Sequence, residues 1–318
     1  MSRSWRHVRP LSPWWVGLAP LPFAADGIWS FARGQGHWEN VIAVVVVVAL
    51  CAGGPSMRKL LVGAYPLGLV GLLYDSMRLV ERVGVSPQTV HDCDLREHEV
   101  ALFGVNVAGQ RGTVHDWLQV HWSPAIDRIC AIPYATFILV CVACAIWLYV
   151  RDYSRMVRFG WCFLALNVAG FVTYHLYPAA PPWYYHTHGC VVDMGASASE
   201  GTNLARVDAW LGIPYFAGMY GRASDVFGAM PSLHCAYALL VVLEGWALFT
   251  PGWRAATSAF FALMCFSAVY LDHHWILDAL AGIAYCICVV AGVRTVERCF
   301  HTRTARPATA LDTSGGAP

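Results

Sequence analysis

Uninterrupted apolar runs constrain this chain more than any other feature, among them VIAVVVVVALC at 41–51 and YATFILVCVACAIWLYV at 134–150. A bilayer core of about 30 Å takes roughly 20 apolar helical residues, and lipid offers no partner to backbone polar groups, so only helices and closed barrels cross it. Eight runs approach that length: 13–32, 38–54, 60–80, 130–150, 158–178, 231–249, 255–271 and 274–294. The first is interrupted by Pro20, Pro22 and Asp26, and does not read as a cleavable signal. Charged residues make up only 13% of the chain, against about 25% in a soluble domain. The expected fold is all-α, a polytopic transmembrane helical bundle of about eight spans.

Orientation follows from the basic residues. SRSWRHVR at the N-terminus, SMRK at 56–59, RDYSRMVR at 151–158, Arg254 and the residues from Arg294 onward fall on one side, which the positive-inside rule makes cytoplasmic. Two long loops, 81–129 and 179–230, then face the other side. Residues 1–129 read as N-terminal helices plus an extracytoplasmic segment, 130–300 as a catalytic membrane core, and 301–318 as a polar, disordered tail. Within the first loop, LREHEVALFGVNVAG and VHDWLQVHW have the amphipathic character of a segment lying on the membrane surface, where it could gate access for a lipid, and read equally as a packed cap without a catalytic role. A formal net charge of +1 with no concentrated basic face argues against a nucleic-acid partner. Most of the 12 cysteines sit inside apolar runs and behave as small hydrophobes. Cys93 and Cys190 lie in the two outer loops, where pairing is open to them.

Two polar stretches interrupt this pattern. FGAMPSLHCAY, 227–237, stands at the mouth of the sixth run, where Pro231 suits a first helical turn and the free N–H groups beyond it, with Ser232, make a cradle for phosphate. VYLDHHWILDALAG, 269–282, opens the eighth. The sixth and eighth runs point the same way, so His234 meets the His273–His274 pair at one depth. His274 and Asp278 are four apart and share a helix face, whereas His273 and Asp278 point about 140° apart. A carboxylate on one ring nitrogen fixes the tautomer and leaves the other nitrogen nucleophilic. His274 is therefore expected as an oriented nucleophile, Asp278 as its orienting acid, and His234 as a general acid.

PSLH at 231–234, followed by HHWILD at 273–278, resembles the second and third motifs of the type-2 phosphatidate phosphatase superfamily. With YPAAPPWY at 177–184, the set is similar to the branch of the fungal inositol phosphorylceramide synthases. The resemblance covers roughly 120–300 and implies a six-helix phosphatase-like core. It implies that His274 attacks phosphorus to form a phosphohistidine, Asp278 orients it and His234 protonates the leaving group, with no cofactor and no metal. The implied reaction moves a phosphorylated headgroup, phosphoinositol from phosphatidylinositol, to the hydroxyl of a ceramide-like lipid. The alternative within the superfamily is a lipid-phosphate phosphatase. The superfamily's arginine six residues before the nucleophile is replaced here by Ala268, and YPAAPPWYY carries no Lys or Arg. A phosphodiester carries less charge than a monoester, so this favours transfer over hydrolysis. Phosphate charge is left to Arg222, the helix start at Ser232, His273, and the Asp75/Arg78 pair, which reads equally as a structural ion pair. Trp183 and Tyr184 read as an interfacial aromatic belt or, for Trp183, as a surface for the inositol ring.

Rival readings leave different marks. HTHGC, 186–190, has the ligand types of a zinc site but no fourth group nearby. A haem protein would place its histidines at mid-membrane rather than at helix mouths. A transporter would bind substrate without needing His274. The compact chain with short cytoplasmic connections points to a bacterial inner membrane, or the Golgi in a eukaryote, with the site on the extracytoplasmic or lumenal side. Oligomeric state is not legible.

Overall fold

A computed structural model describes residues 17–34, 36–198, 202–221 and 226–304, and all side chains among them except those of 78, 79, 202 and 300–304. Thirteen helices lie within the described residues. The N-terminal group is α1 (Leu21–Ala32), α2 (Trp38–Ala52) and α3 (Pro55–Val80). An outer segment follows, with α4 (Cys93–Phe103), a hairpin of β1 (Val105–Val107) and β2 (Gln110–Gly112), and α5 (Val114–Val120). Then come α6 (Pro124–Arg151), α7 (Tyr153–Leu176), the short helices α8 (Pro182–His188), α9 (Thr202–Leu211) and α10 (Tyr215–Tyr220), and finally α11 (Leu233–Gly245), α12 (Pro251–Tyr270) and α13 (Ile276–Thr304).

Five of these helices are long and apolar enough to cross a membrane: α3, α6, α7, α12 and α13. The protein is thus a multi-pass helical membrane protein. Of the remaining runs read from sequence, α2 and α11 are apolar but shorter. The first run appears as the twelve residues of α1, with 13–16 outside the described residues. Proline opens α3, α6, α8 and α12, where its missing N–H costs no helical bond. The expected tail is helical in its first part, because α13 continues to Thr304, and 305–318 lie outside the described residues.

The hub is α11, buried on nearly every side by α6, α7, α12 and α13. A helix that is apolar all round belongs inside a bundle, which is how thirteen residues serve here. Its far end holds a fully buried carboxylate, Glu244, which accepts from Arg158 Nε at 2.8 Å and Arg294 Nη2 at 2.9 Å. Such a charge persists in an apolar bundle only when paired. The pair ties α7 and α13 to α11 at the end rich in arginine. α1, α2 and α3 form a separate small core around Phe23, Val47 and Leu61.

At the other end the outer segments form a cap. The β1–β2 turn places Ala108 and Gly109 at φ 50° and 88°, the positive values that a tight two-residue hairpin requires. Cys93 and Cys190 form a disulfide joining the start of α4 to the turn after α8, with Cα atoms 5.6 Å apart. Three loops are stitched by parallel bridges, His91 to Ala179 and Ala179 to Gly228. Glu99 of α4 is buried and accepts from Leu277 N at 2.7 Å, so the cap supplies a carboxylate to the first turn of α13.

Candidate active site

Ser232 ends the loop before α11 and caps the helix, its hydroxyl accepting from Cys235 N. His234 follows in the first turn. Helix α13 begins at Ile276, so His274 stands in the turn ahead of it rather than on its face as the i,i+4 spacing predicts. The two imidazoles still meet, with His234 Nδ1 and His274 Nε2 3.0 Å apart. His274 Nδ1 lies 2.9 Å from the carbonyl oxygen of Ala229. A carbonyl only accepts, so Nδ1 carries the proton and Nε2 is left with its lone pair toward His234. Asp278 Oδ2 stands 3.7 Å from the same Nδ1, beyond hydrogen-bond reach, and accepts from Trp275 N at 2.8 Å. The expected carboxylate–imidazole hydrogen bond is thus made by a backbone carbonyl, while Asp278 stands buried nearby and forms the N3 half of a capping box.

The carbonyl of Ala229 is held in turn by the YPAAPPWYY stretch. Ala229 N donates to Ala179 O at 3.1 Å, Trp275 Nε1 to Ala180 O at 2.8 Å, and Trp183 N to Asp272 O at 3.0 Å. That stretch acts here as a clamp on both histidine-bearing loops. A cavity of about 530 Å³ opens beside them, lined by His234, His273, His274, Trp183, Tyr220 and Asp75 among others. Among the described residues no Lys or Arg lines it.

Other expected substrate contacts fare differently. Ser232 is fully buried, with its N–H donated to Asp278 O at 2.9 Å, so it is a structural cap and not an open phosphate cradle. Trp183 faces the cavity, but it is buried and not part of a membrane-surface belt. Tyr184 does not line the cavity; it packs against Val85 and Phe227, and its hydroxyl donates to Val191 O at 3.2 Å. Asp75 lines the cavity and accepts from Asn40 Nδ2 at 2.9 Å. Arg222 and the side chain of Arg78 lie outside the described residues. His273 stacks on Tyr220 at 4.9 Å between ring centroids. Burial, and then the neighbouring His274, push its imidazole down to about 3, so it is neutral.

One group of site residues carries no motif. Asp272, at φ 66°, immediately precedes the histidine pair and is buried. His115 Nδ1 donates to its Oδ1 at 2.9 Å, Gln119 Nε2 to Oδ2 at 2.9 Å, and His186 Nδ1 also to Oδ2. The other nitrogen of His186 donates to Asp116 Oδ1 at 3.0 Å, and Asp116 pairs with Arg96 at 2.9 Å. Both His186 nitrogens face carboxylates, so the ring is an imidazolium. With Cys190 in the disulfide and His186 between two acids, two of the three side chains of the HTHGC zinc reading are otherwise engaged.

Burial alone would lower His186, but hydrogen bonds to Asp116 and Asp272 outweigh it and raise the ring to about 9. Burial would raise Asp272, but hydrogen bonds from His115 and His186 hold it at about 2. The folded value of His186 lies above its ordinary 6.5, so its contribution is complete below about pH 6.5 and is lost as pH rises through about 9. Thermal unfolding of the purified protein should therefore show a falling melting temperature across that window. His186→Gln should remove this slope while lowering the melting temperature at pH 6. An unchanged slope in the variant would assign it to another group.

The sequence model of the PAP2 superfamily matches residues 110–292. The phosphoinositol dihydroceramide synthase of Bacteroides thetaiotaomicron is 33% identical over 253 residues, which are 77% of this chain and 80% of that protein. The inositol phosphorylceramide synthase of Candida albicans is 27% identical over 186 residues, 58% of this chain and 38% of that one. The inositol phosphorylceramide synthase catalytic subunit of Schizosaccharomyces pombe is 28% identical over 295 residues, 91% of this chain and 64% of that one. The chain thus spans less than two thirds of either fungal protein. No solved structure matches.

Proposed function

Because the chain belongs to the PAP2 superfamily, we propose that it is a phosphoinositol transferase that takes the headgroup from phosphatidylinositol and passes it to the hydroxyl of a ceramide-class lipid. The observation that carries this reading is the His234–His274 pair at 3.0 Å, opening onto a cavity wide enough for a phosphodiester headgroup. In the first half-reaction the diester enters between the rings and the hydrogen bond from His234 Nδ1 to His274 Nε2 opens; the freed lone pair attacks phosphorus, and the bond from phosphorus to the glycerol oxygen breaks. His234, protonated on both nitrogens when the anionic diester lies beside it, gives a proton to that oxygen and diacylglycerol leaves. In the second half the acceptor hydroxyl attacks phosphorus, its proton returns to His234, and the phosphorus–nitrogen bond breaks. Asp278 favours the positive charge that develops on His274. Trp183 offers an apolar face to the inositol ring.

A described cavity wall without Lys or Arg supports a singly charged diester as donor over a doubly charged monoester. The disulfide across the cap supports an oxidising, extracytoplasmic or lumenal side for the site. Arg58, Arg158, Arg254 and Arg294 stand toward the helix ends away from the cap, which supports the same orientation. We place the enzyme in a bacterial inner membrane, or in the Golgi of a eukaryote. Purified protein given inositol-labelled phosphatidylinositol should produce a labelled phosphosphingolipid only when ceramide is added. Release of water-soluble inositol phosphate at the same rate with and without ceramide would make the enzyme a hydrolase instead.

A further inference from the structure

A second cavity, of about 770 Å³, lies among α1, α2 and α3 and is larger than the one holding the histidines. Its walls are apolar over most of their length, with Val46, Leu50 and Leu61 among them. From Leu61 to Asp75 the helix α3 advances about 21 Å, so the cavity is an elongated channel along the bundle, open on the side of the half-exposed Val46. One end is polar. Asp26, Glu39 and Asp75 line it together with Asn40 and His37, and among the described residues no Lys or Arg does. Gly71 and Asp75 belong to the walls of both cavities, so the polar end of the channel abuts the catalytic cavity. The channel is built by residues 23–75, ahead of the 110–292 region shared with the superfamily at large.

The hydrogen bonds at the polar end decide what kind of headgroup fits. Asn40 spends both hydrogens of its amide, donating to Asp26 Oδ2 at 3.1 Å and to Asp75 Oδ2 at 2.9 Å. Its own oxygen is taken by His37 N at 3.0 Å. Ser76 donates to Asp26 Oδ1 at 3.1 Å. Among the described residues, what remains is a set of carboxylate lone pairs with no matching donors, and Asp75 Oδ1 has no hydrogen-bond partner. An anionic phosphodiester brings acceptors and negative charge, and would meet three carboxylates there against the single one, Asp75, that faces three imidazoles in the catalytic cavity. A lipid with several hydroxyls and an amide N–H on an uncharged head brings donors, and fits.

We propose that this channel is the binding site for the acceptor lipid, an N-acylated amino alcohol of the ceramide class. Its hydrocarbon lies between α1, α2 and α3, and its hydroxyls are held by Asp26 and Asp75 so that one of them reaches across the shared wall to the phosphoryl group on His274. The inference rests on the transferase reading and adds to it the place where the second substrate sits. It gives the helices that precede the superfamily region a role: they exclude water from the second half-reaction by putting a lipid hydroxyl there first.

The test uses the full chain in lipid nanodiscs. Ala43 lines only the channel, so Ala43→Trp fills it at a distance from the histidines. Asp26→Asn keeps an oxygen for Ser76 but weakens the acceptor set. Each should raise KM for ceramide about tenfold, while KM for phosphatidylinositol moves less than about twofold. A rise shared equally by both substrates, or confined to phosphatidylinositol, overturns the assignment. Independently, a photoactivatable ceramide should label wild-type peptides from 37–75, with excess ceramide but not phosphatidylinositol suppressing the label. Labelling elsewhere, or equal suppression by phosphatidylinositol, also overturns it. If wild-type protein makes no phosphosphingolipid yet labels in the channel, the transferase reading fails and the lipid site stands.

Discussion

Replacing His274 with alanine is expected to lower transfer by about four orders of magnitude or more while leaving the protein folded, because it removes the atom proposed to bond phosphorus. His274 Nε2 is the nitrogen freed by the Nδ1 hydrogen bond to Ala229 O at 2.9 Å, and it points at the partner ring and the cavity. The adjacent imidazole on the same cavity, His273, is held instead in a stack on Tyr220. His234→Ala should cost less, about 10² to 10⁴, since it withdraws a proton donor and not the attacking atom. Asp278→Asn should retain the most activity of the three. The tautomer is held by a backbone carbonyl that the substitution leaves in place, and an asparagine oxygen can still accept from Trp275 N. The measurement is single-turnover release of diacylglycerol from labelled donor, with circular dichroism to verify folding. Near-normal release by His274→Ala would remove the covalent mechanism.

The reason for that ranking is not the one the motifs point to, because Ala229 O and not Asp278 holds the tautomer, and the difference shows how far a linear reading reaches. The apolar runs located the long helices because run length is a local property that the bilayer reads directly. The forty-residue spacing between His234 and His274, on helices running the same way, brought the two rings together for the same kind of reason. The atom that fixes the tautomer was illegible, because any residue has a carbonyl and only the stitch through Ala179 aims that of Ala229. The polar set around Asp272 was equally hidden: His115 and His186 lie 157 and 86 residues from it, His115 carries no motif, and His186 belongs to the HTHGC stretch that reads as ligand types for zinc. A usable signal did exist in LDHH, since a third charged group beside an apolar helix needs a partner as much as the histidines do. Ser232 was over-read, because Ser–x–x before an apolar run is first of all a helix cap. The cap itself was legible as amphipathic segments, but not its buried Glu99 at the start of α13.

Gly282 should prove nearly as important as the histidines, although it touches no substrate. A Cβ placed there would run into the carbonyl oxygen of Ser232 and lie 3.0 Å from its carbonyl carbon. Those are backbone atoms of the residue that caps α11, so no side chain can rotate aside and the two helices themselves must part. Ser232 N donates to Asp278 O at 2.9 Å across the same junction, and this bond would open with them. His234 is two residues beyond Ser232 and His274 leads into α13, so separation of the helices widens the gap between the rings. A shift on the order of 1 Å in such a pair costs about a hundredfold in rate. Gly282→Ala is therefore expected to lower kcat at least that far, and Gly282→Val further, with helical content retained. Gly292, one helical stretch further along α13, has nothing within 4 Å of its would-be Cβ. Gly292→Ala should leave turnover unchanged and raise stability by about 0.5–1 kcal/mol, the ordinary gain of alanine over glycine in a helix. The contrast separates a requirement for close approach from the general cost of altering α13. Full activity in Gly282→Ala would mean that the two helices do not meet at that distance, and the convergence of the imidazoles would lose its structural basis.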